Sequence, residues 1–101
     1  MQLLIRKENV TLSQDELDYL RRKMEHLTHL ARAMGDESSK LHVDVEQTRI
    51  KTTDHKMMLR ATLSVPHRVM HAEASGMHFL EAADILEDKL RRQIEKYKER
   101  G

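Results

Sequence analysis

Cysteine is absent from the sequence, and proline, glycine and aromatic residues are scarce, with one, three and three copies respectively. The lack of cysteine excludes disulfide bonds and thiolate zinc sites, and it suits a reducing compartment. Because rings are few, aliphatic residues and the seven methionines must supply most of the core. No apolar run approaches the roughly 18 residues of a membrane span, and the N-terminus lacks the pattern of a signal peptide. We therefore expect a cytoplasmic protein with no membrane partner.

The charged residues are numerous but nearly balanced. The chain has 18 lysines and arginines against 17 acids, and charged residues make up 35% of it. Such a balance argues against a disordered polyelectrolyte, and the net charge by itself indicates no partner. With 101 residues and no internal repeat or linker, the chain is expected to fold as one domain, residues 1–101.

Periodicity predicts a strand followed by a helix in the first third of the chain. Residues 2–7 suit a short strand with Leu3 and Ile5 on one face. The segment Ser13-Gln14-Asp15-Glu16 has the form of a capping box, in which Ser13 and Glu16 bond each other's backbone amides, so a helix is expected to begin there. Its apolar residues recur at intervals of three and four as far as the stop at Gly35: Leu17, Leu20, Met24, Leu27, Ala31 and Met34.

Three further strands and a second helix are predicted in the remainder of the chain. After a polar loop at residues 35–40, apolar and polar residues alternate in 41–46, 59–65 and 69–75. Residues 50–56 suit a hairpin tip, and Pro66-His67 suits a tight turn. The predicted fold class is therefore α+β, a β-α-β-β-β-α two-layer sandwich with two helices on one face of a four-stranded sheet. The last helix has apolar residues at helical spacing: Phe79, Ala83, Leu86, Leu90, Ile94 and Tyr97.

The charges of the last helix are sorted in two ways. Acids dominate its first half and bases its second half, which is the distribution that a helix dipole favours. On a helical wheel, Lys89, Arg92, Lys96 and Arg100 also fall on one flank, roughly 60° to 140° from the centre of the apolar stripe. The dipole does not account for this sorting to one side. The four bases form a row about 16 Å long, which predicts a surface for several successive phosphates of a polyanion.

Metal binding and catalysis are not indicated. Of the seven histidines, His26 and His29 lie three residues apart and His67, His71 and His78 are close in sequence, but no HExxH or two-histidine-carboxylate spacing occurs. The chain also lacks a glycine-rich phosphate loop, a cysteine nucleophile and a serine in a nucleophile elbow. We therefore expect no metal, no cofactor, no small-molecule substrate and no enzymatic activity.

The segment MHAEASGMHFLEAADILEDKLRRQIEKYK, residues 70–98, resembles the end of the ribosome hibernation promoting factor family. Members of that family are small ribosome-associated translation inhibitors. The chain departs from the family's pattern at Arg6-Lys7-Glu8-Asn9, which replaces a Thr-Gly-x-Asn-like turn, at His78 and Leu80, which replace an Asp and a Tyr, and at His26, which replaces a Lys. The matching residues are Met70-His71-Ala72, Ala74, Gly76, Asp88-Lys89-Leu90, Arg92-Gln93-Ile94, Lys96 and Lys98.

The resemblance implies a protein that binds the small ribosomal subunit, or the whole ribosome, in the channel for mRNA and tRNA at the A and P sites. Such a protein blocks translation and protects idle ribosomes under stress or in stationary phase, in a bacterial cytoplasm or a plastid stroma. The family's long members carry a second domain that pairs ribosomes. The resemblance therefore implies either a short form, which could cooperate with a separate pairing factor, or the first domain of a long form. The residues implied in contacts with rRNA phosphates are Lys89, Arg92, Lys96 and Lys98, then Lys23, Arg22 and Arg91, with Arg100 in the last turn.

Two other functions remain open on the sequence. A general double-stranded RNA-binding module has a helix, three strands and a helix in the same order, but it relies on a lysine-rich start to its final helix. Here the start of that helix is acidic, which counts against this class. The second alternative is a protein-interaction domain that does not bind RNA.

Overall fold

A four-stranded sheet covered on one face by two helices forms the structure, a computed structural model that describes residues 2–32, 39–49, 55–66 and 68–100. The predicted order of elements and the α+β class are confirmed. The elements are β1 (Gln2–Glu8), α1 (Gln14–Arg32), β2 (Lys40–Arg49), β3 (His55–Val65), β4 (Arg68–Gly76) and α2 (Phe79–Arg100).

The sheet has the strand order β1-β2-β3-β4. β1 pairs with β2 in parallel, as two strands joined through a helix do, whereas β2, β3 and β4 form an antiparallel meander. β4 is parallel to both β1 and β2. Each helix follows one of these parallel strands, α1 after β1 and α2 after β4, so the two helices return across the sheet in the same direction. α2 packs on β3, β4 and α1, and it is the central element of the helical layer.

The core lies between the helices and one face of the sheet. In every strand of the meander the alternate residues predicted to face inward are buried. Most described residues of the two helical stripes are buried as well, whereas Leu17 and Tyr97 are half-buried. The side chains of Ala31 and Met34 lie outside the described residues. The open face of the sheet carries the other alternate residues, and most of these are polar. The largest side chains exposed to less than 2% are Leu20, Met24, Leu27, Leu41, Val43, Val45, Leu59, Leu63, Leu86, Leu90 and Ile94.

The predicted boundaries of the first hairpin were partly wrong. β2 continues to Arg49 and β3 begins at His55, where the two residues are paired, so His55 and Lys56 belong to a strand rather than to a turn. Lys40, which was predicted in a loop, is the first residue of β2 and pairs with Gln2. Backbone pairing needs no apolar side chain, so the ladder extends beyond the apolar alternation. The predictions for residues 33–38, 50–54 and 67 lie outside the described residues.

The first helix begins as predicted. The Ser13 amide donates to Glu16 Oε1 over 3.0 Å, and the Glu16 amide donates to Ser13 Oγ over 3.1 Å. Just before it, Asn9 adopts a φ of 52°, a left-handed conformation that asparagine tolerates better than most residues. Within the described ranges, neither helix is long and apolar enough to cross a membrane.

The capping box should contribute measurably to stability. Replacing Ser13 by alanine removes the acceptor for the Glu16 amide, so the free energy of unfolding should fall by about 1 kcal/mol in urea denaturation. Thr11→Ala, an exposed change just outside the capping box, is the control and should alter that free energy by less than about 0.5 kcal/mol. Equal losses in the two variants would show that the cap is unimportant.

Candidate nucleic-acid interface

The bases predicted from the sequence lie on two different flanks of α2. Arg91 and Lys98 fall on the side of α2 that carries Asp84, since they follow this α1-contacting residue by seven and fourteen residues. We call this side the inner flank; Arg22 and Lys23 face it from α1. Lys89, Arg92 and Lys96 lie on the opposite side, towards the β4 edge, which we call the outer flank. Arg100 is in the last turn of α2, and its side chain lies outside the described residues.

A group of four polar side chains joins α1 to α2, and we call it the interhelix cluster. The Tyr19 hydroxyl donates to Asp84 Oδ1 over 2.5 Å. Lys23 Nζ lies 3.2 Å from Asp84 Oδ1 and 3.3 Å from Glu87 Oε2, and 5.4 Å from the centroid of the Tyr19 ring. Lys23 is therefore enclosed by two carboxylates and an aromatic face.

The interhelix cluster shifts the protonation of its members. The hydrogen bond from Tyr19, with that from Lys23, lowers the pKa of the Asp84 carboxyl below its usual value of 3.8. The same hydrogen bond raises the pKa of Tyr19, and the bond to Asp84 raises the pKa of Lys23. Each shift favours the protonation state present at neutral pH, so the cluster is fully formed there.

The outer flank is attached to the edge of the sheet by side chains at four-residue spacing. Lys89 Nζ donates to the Glu73 carbonyl over 2.6 Å, and Gln93 Nε2 donates to the His71 carbonyl over 2.6 Å. Tyr97 continues the row, with its hydroxyl 3.3 Å from the Pro66 carbonyl. β4 is an edge strand, so the carbonyls that it does not use towards β3 are available to side chains of α2. Lys89, Gln93 and Tyr97, the edge contacts, therefore hold α2 against β4 and against Pro66, which lies just before it.

One carboxylate connects the two flanks. Asp88 Oδ1 accepts a hydrogen bond from Arg91 Nη2, and Asp88 Oδ2 lies 3.1 Å from Arg92 Nη2. The bond to Asp88 raises the pKa of Arg91. Arg91 Nε is buried and has no hydrogen-bond partner among the described residues. The Arg92 side chain remains 74% exposed, so most of its guanidinium faces solvent.

Among the predicted bases of α2 whose side chains are described, Lys96 and Lys98 are the least engaged. Both are exposed, one on each flank, and neither makes an ion pair or a side-chain hydrogen bond within the part of the chain that the structure describes. With Arg92 they place three positive charges in the second half of α2 where a phosphate could meet them.

The structure thus shows that the bases predicted to contact phosphates have different surroundings. Lys89 was predicted on a row of phosphate contacts, but its ammonium also bonds the β4 backbone, so its placement has a structural reason. Lys23 is paired with two acids rather than displayed to solvent. The sequence-based prediction missed the edge contacts of Gln93 and Tyr97; the four-residue interval from Lys89 was the available signal. It also missed the Tyr19–Asp84 bond, which joins residues 65 positions apart.

Among the described residues, the open face of the sheet offers no comparable concentration of positive charge. Its cross-strand row runs Arg6, Asp44, Arg60 and Glu73, with alternating sign. Arg60 lies 3.3 Å from Glu73 and 3.8 Å from Glu46. His71 lies on this face, with Nδ1 3.4 Å from Thr62 Oγ1. Among the described residues no three histidines or acids are placed to hold a metal ion.

Comparison with known proteins gives consistent matches. Residues 3–101 match the family model described as sigma 54 modulation protein / S30EA ribosomal protein. The ribosome hibernation promotion factor of Picosynechococcus sp. is 27% identical over 101 residues, and the match covers 100% of this chain and 51% of that relative. The chain therefore spans about half the length of the curated relative.

Two solved structures share the fold at low sequence identity. A ribosomal subunit interface protein from Coxiella burnetii gives a TM-score of 0.73 at 20% identity, covering 97% of this chain and 98% of that one. The N-terminal domain of Protein Y from Thermus thermophilus gives a TM-score of 0.66 at 18% identity, covering 96% and 99%.

Two lysines of the outer flank should differ in their effect on stability. Lys89→Met removes the donor to the Glu73 carbonyl and should lower the free energy of unfolding by about 1 kcal/mol. Lys96→Met removes the same charge from the same flank without breaking a described contact, and its effect should stay below about 0.5 kcal/mol. Urea denaturation of both variants measures the difference. If the two losses were equal, Lys89 would have no structural role.

The interhelix cluster should make stability depend on pH in acid. Because the pKa of Asp84 is lower in the folded state, its contribution is present above about pH 4 and is lost as the pH falls through that lowered pKa. Asp84→Asn should therefore be less stable than wild type at pH 6, by under about 1 kcal/mol since the group is exposed, and the gap should narrow near pH 2.5. Urea midpoints of both proteins at both pH values measure this difference. Tyr19→Phe should also be less stable than wild type at pH 6, and this second difference should likewise narrow near pH 2.5. A gap of constant size would contradict this assignment.

Proposed function

Because the chain belongs to the sigma 54 modulation protein / S30EA ribosomal protein family, a non-enzymatic family of ribosome-binding proteins, we propose that it is a ribosome hibernation factor acting on the small subunit. The resemblance seen in residues 70–98 is confirmed by the family match over residues 3–101. In this proposal the domain occupies the channel for mRNA and tRNA at the A and P sites. It blocks translation and protects idle ribosomes in stationary or stressed cells.

The observation that carries the proposal is the rigid mounting of a base-rich helix. From residue 89 to residue 98, α2 has five bases and one acid. This half of the helix is held to β4 by the edge contacts and buries Leu90 and Ile94 completely. The backbone of a helix held in this way loses little further entropy when its bases meet phosphates, so shape and charge together position the domain.

The aromatic residues of the chain do not support base stacking as an alternative mode of RNA binding. The chain has one phenylalanine and two tyrosines. Phe79 is buried, Tyr19 is bonded to Asp84, and Tyr97 is half-buried with its hydroxyl near Pro66. None of these rings forms the exposed platform on which single-stranded bases stack. The proposed contacts are therefore with the phosphate backbone of folded rRNA, which is recognised by its shape.

A general double-stranded RNA-binding module is less well supported. The first half of α2 contains Glu81, Asp84, Glu87 and Asp88 and no lysine or arginine. These acids would face a duplex where that class of module places lysines. The proposed partners are instead the small subunit and the whole ribosome in the cytoplasm, with a separate pairing factor where ribosomes form dimers.

Sedimentation with ribosomes tests the proposal and identifies the flank that binds. The protein should co-migrate with small subunits at low salt and dissociate as salt rises, because phosphate contacts release counterions. Two triple reversals, Lys89→Glu/Arg92→Glu/Lys96→Glu on the outer flank and Arg22→Glu/Arg91→Glu/Lys98→Glu on the inner flank, should each weaken binding at least tenfold.

The matched control reverses three bases of the open sheet face, Arg6→Glu/Lys40→Glu/Lys56→Glu, and should retain binding within about threefold. Circular dichroism confirms that each variant folds. The proposal would be wrong if the wild-type protein stayed at the top of a low-salt gradient. It would also be wrong if all three variants bound as wild type does.

A further inference from the structure

Lys23 is a base of the proposed interface whose ammonium contacts two carboxylates of the protein itself. Its ammonium is 3.2 Å from Asp84 and 3.3 Å from Glu87, and the side chain is 32% exposed. Glu87 is only 17% exposed, so it is held in place beneath the groove between the helices. An RNA phosphate reaching Lys23 must therefore displace a carboxylate or share the ammonium with two.

The groove around Lys23 has no net positive charge. It is lined by Tyr19, Arg22, Lys23, His26 and Glu87, and Asp84 lies beside it. With histidine neutral, the two bases are balanced by the two acids. The excess of bases lies further along α2, towards Lys98. A phosphate backbone is therefore attracted to one end of the interface and gains nothing by approaching the other end.

We propose that Asp84 and Glu87 are specificity-determining residues, which occupy Lys23 in the free protein and oppose RNA that does not fit the groove. The inference rests on the proposed function and takes Lys23 as one of the rRNA contacts that the family resemblance implies. It assigns the two carboxylates the role of internal substitutes for phosphate. Only an RNA surface held in register by the bases of α2 places a phosphate where it replaces them.

The energetic basis is a small penalty applied to every incorrect partner. Two partly exposed ion pairs are each worth well below the free energy of a full binding site, so a correctly docked RNA overcomes their loss. A random duplex makes fewer simultaneous contacts, and for it the same loss is a larger fraction of the binding energy. Like charge placed against the wrong partner is a common source of specificity.

The test compares affinities for two RNA partners after the acids are neutralised. In Asp84→Asn/Glu87→Gln the shapes are kept and the charges are removed. The affinity for a random-sequence RNA duplex of about 20 base pairs should rise roughly three- to tenfold, and its dependence on salt should steepen by about one phosphate contact. The affinity for small subunits should rise less, so the ratio between the two affinities falls.

Two further variants identify the cause of that gain. Adding Lys23→Gln to the double variant should abolish it, because no ammonium is then released. Glu25→Gln/Asp44→Asn removes the same amount of charge from surfaces away from the groove and should raise duplex affinity less than twofold. Circular dichroism and urea denaturation verify that every variant is folded.

The outcomes separate this inference from the proposed function. An equal gain in the control, or a gain that persists without Lys23, would overturn the role of the two acids. Loss of small-subunit binding in folded Asp84→Asn/Glu87→Gln would overturn it too, since the acids would then be needed only to position Lys23. If the wild-type protein failed to bind small subunits, the proposed function would fall, while the duplex measurements would still decide whether the acids shield Lys23.

Discussion

The apolar stripe of α2 runs from Phe79 through Leu86 and Leu90 to Ile94, and it is buried against β3, β4 and α1. Burying such side chains contributes about 1.5 to 3 kcal/mol each, far more than any exposed charge on the same helix. The stripe therefore fixes the rotation of α2 about its axis. Once that rotation is set, the sequence positions of the bases decide which flank each occupies. Removal of the stripe would leave the charges without a defined arrangement.

The strands and helices could be predicted because their signals are local. Alternation in Leu41, Val43 and Val45, and the capping box at Ser13, each depend on residues a few positions apart. The extra paired residues at His55 and Lys56 could not be predicted, because the ladder continues there without an apolar pattern. The family could be recognised from residues 70–98, yet the contacts of individual bases could not. Lys89 with Glu73 and Lys23 with Asp84 are set by tertiary packing across many residues.

The same ionised groups serve the fold and the proposed partner, and the two uses compete. Lys89 fixes α2 to the sheet with one donor and retains others for a phosphate. Asp88 orients Arg91 and Arg92 at the cost of part of their positive potential. Lys96 and Lys98 make no ion pair or side-chain hydrogen bond among the described residues. They lie near the C-terminal end of the helix, where the dipole also favours positive charge. Positive potential therefore increases along α2 as internal pairing decreases.

The contacts of Lys89 and Gln93 with β4 also limit how copies of this domain associate. The edge of a sheet is a template on which a foreign strand can assemble, and a molecule with two open edges can add neighbours without end. Here the His71 and Glu73 carbonyls are already occupied, and α2 side chains cross the edge. Pairing through β1 alone joins two molecules and then stops, because it leaves no second template. The occupied β4 edge therefore opposes growth of the domain into fibres when it is concentrated.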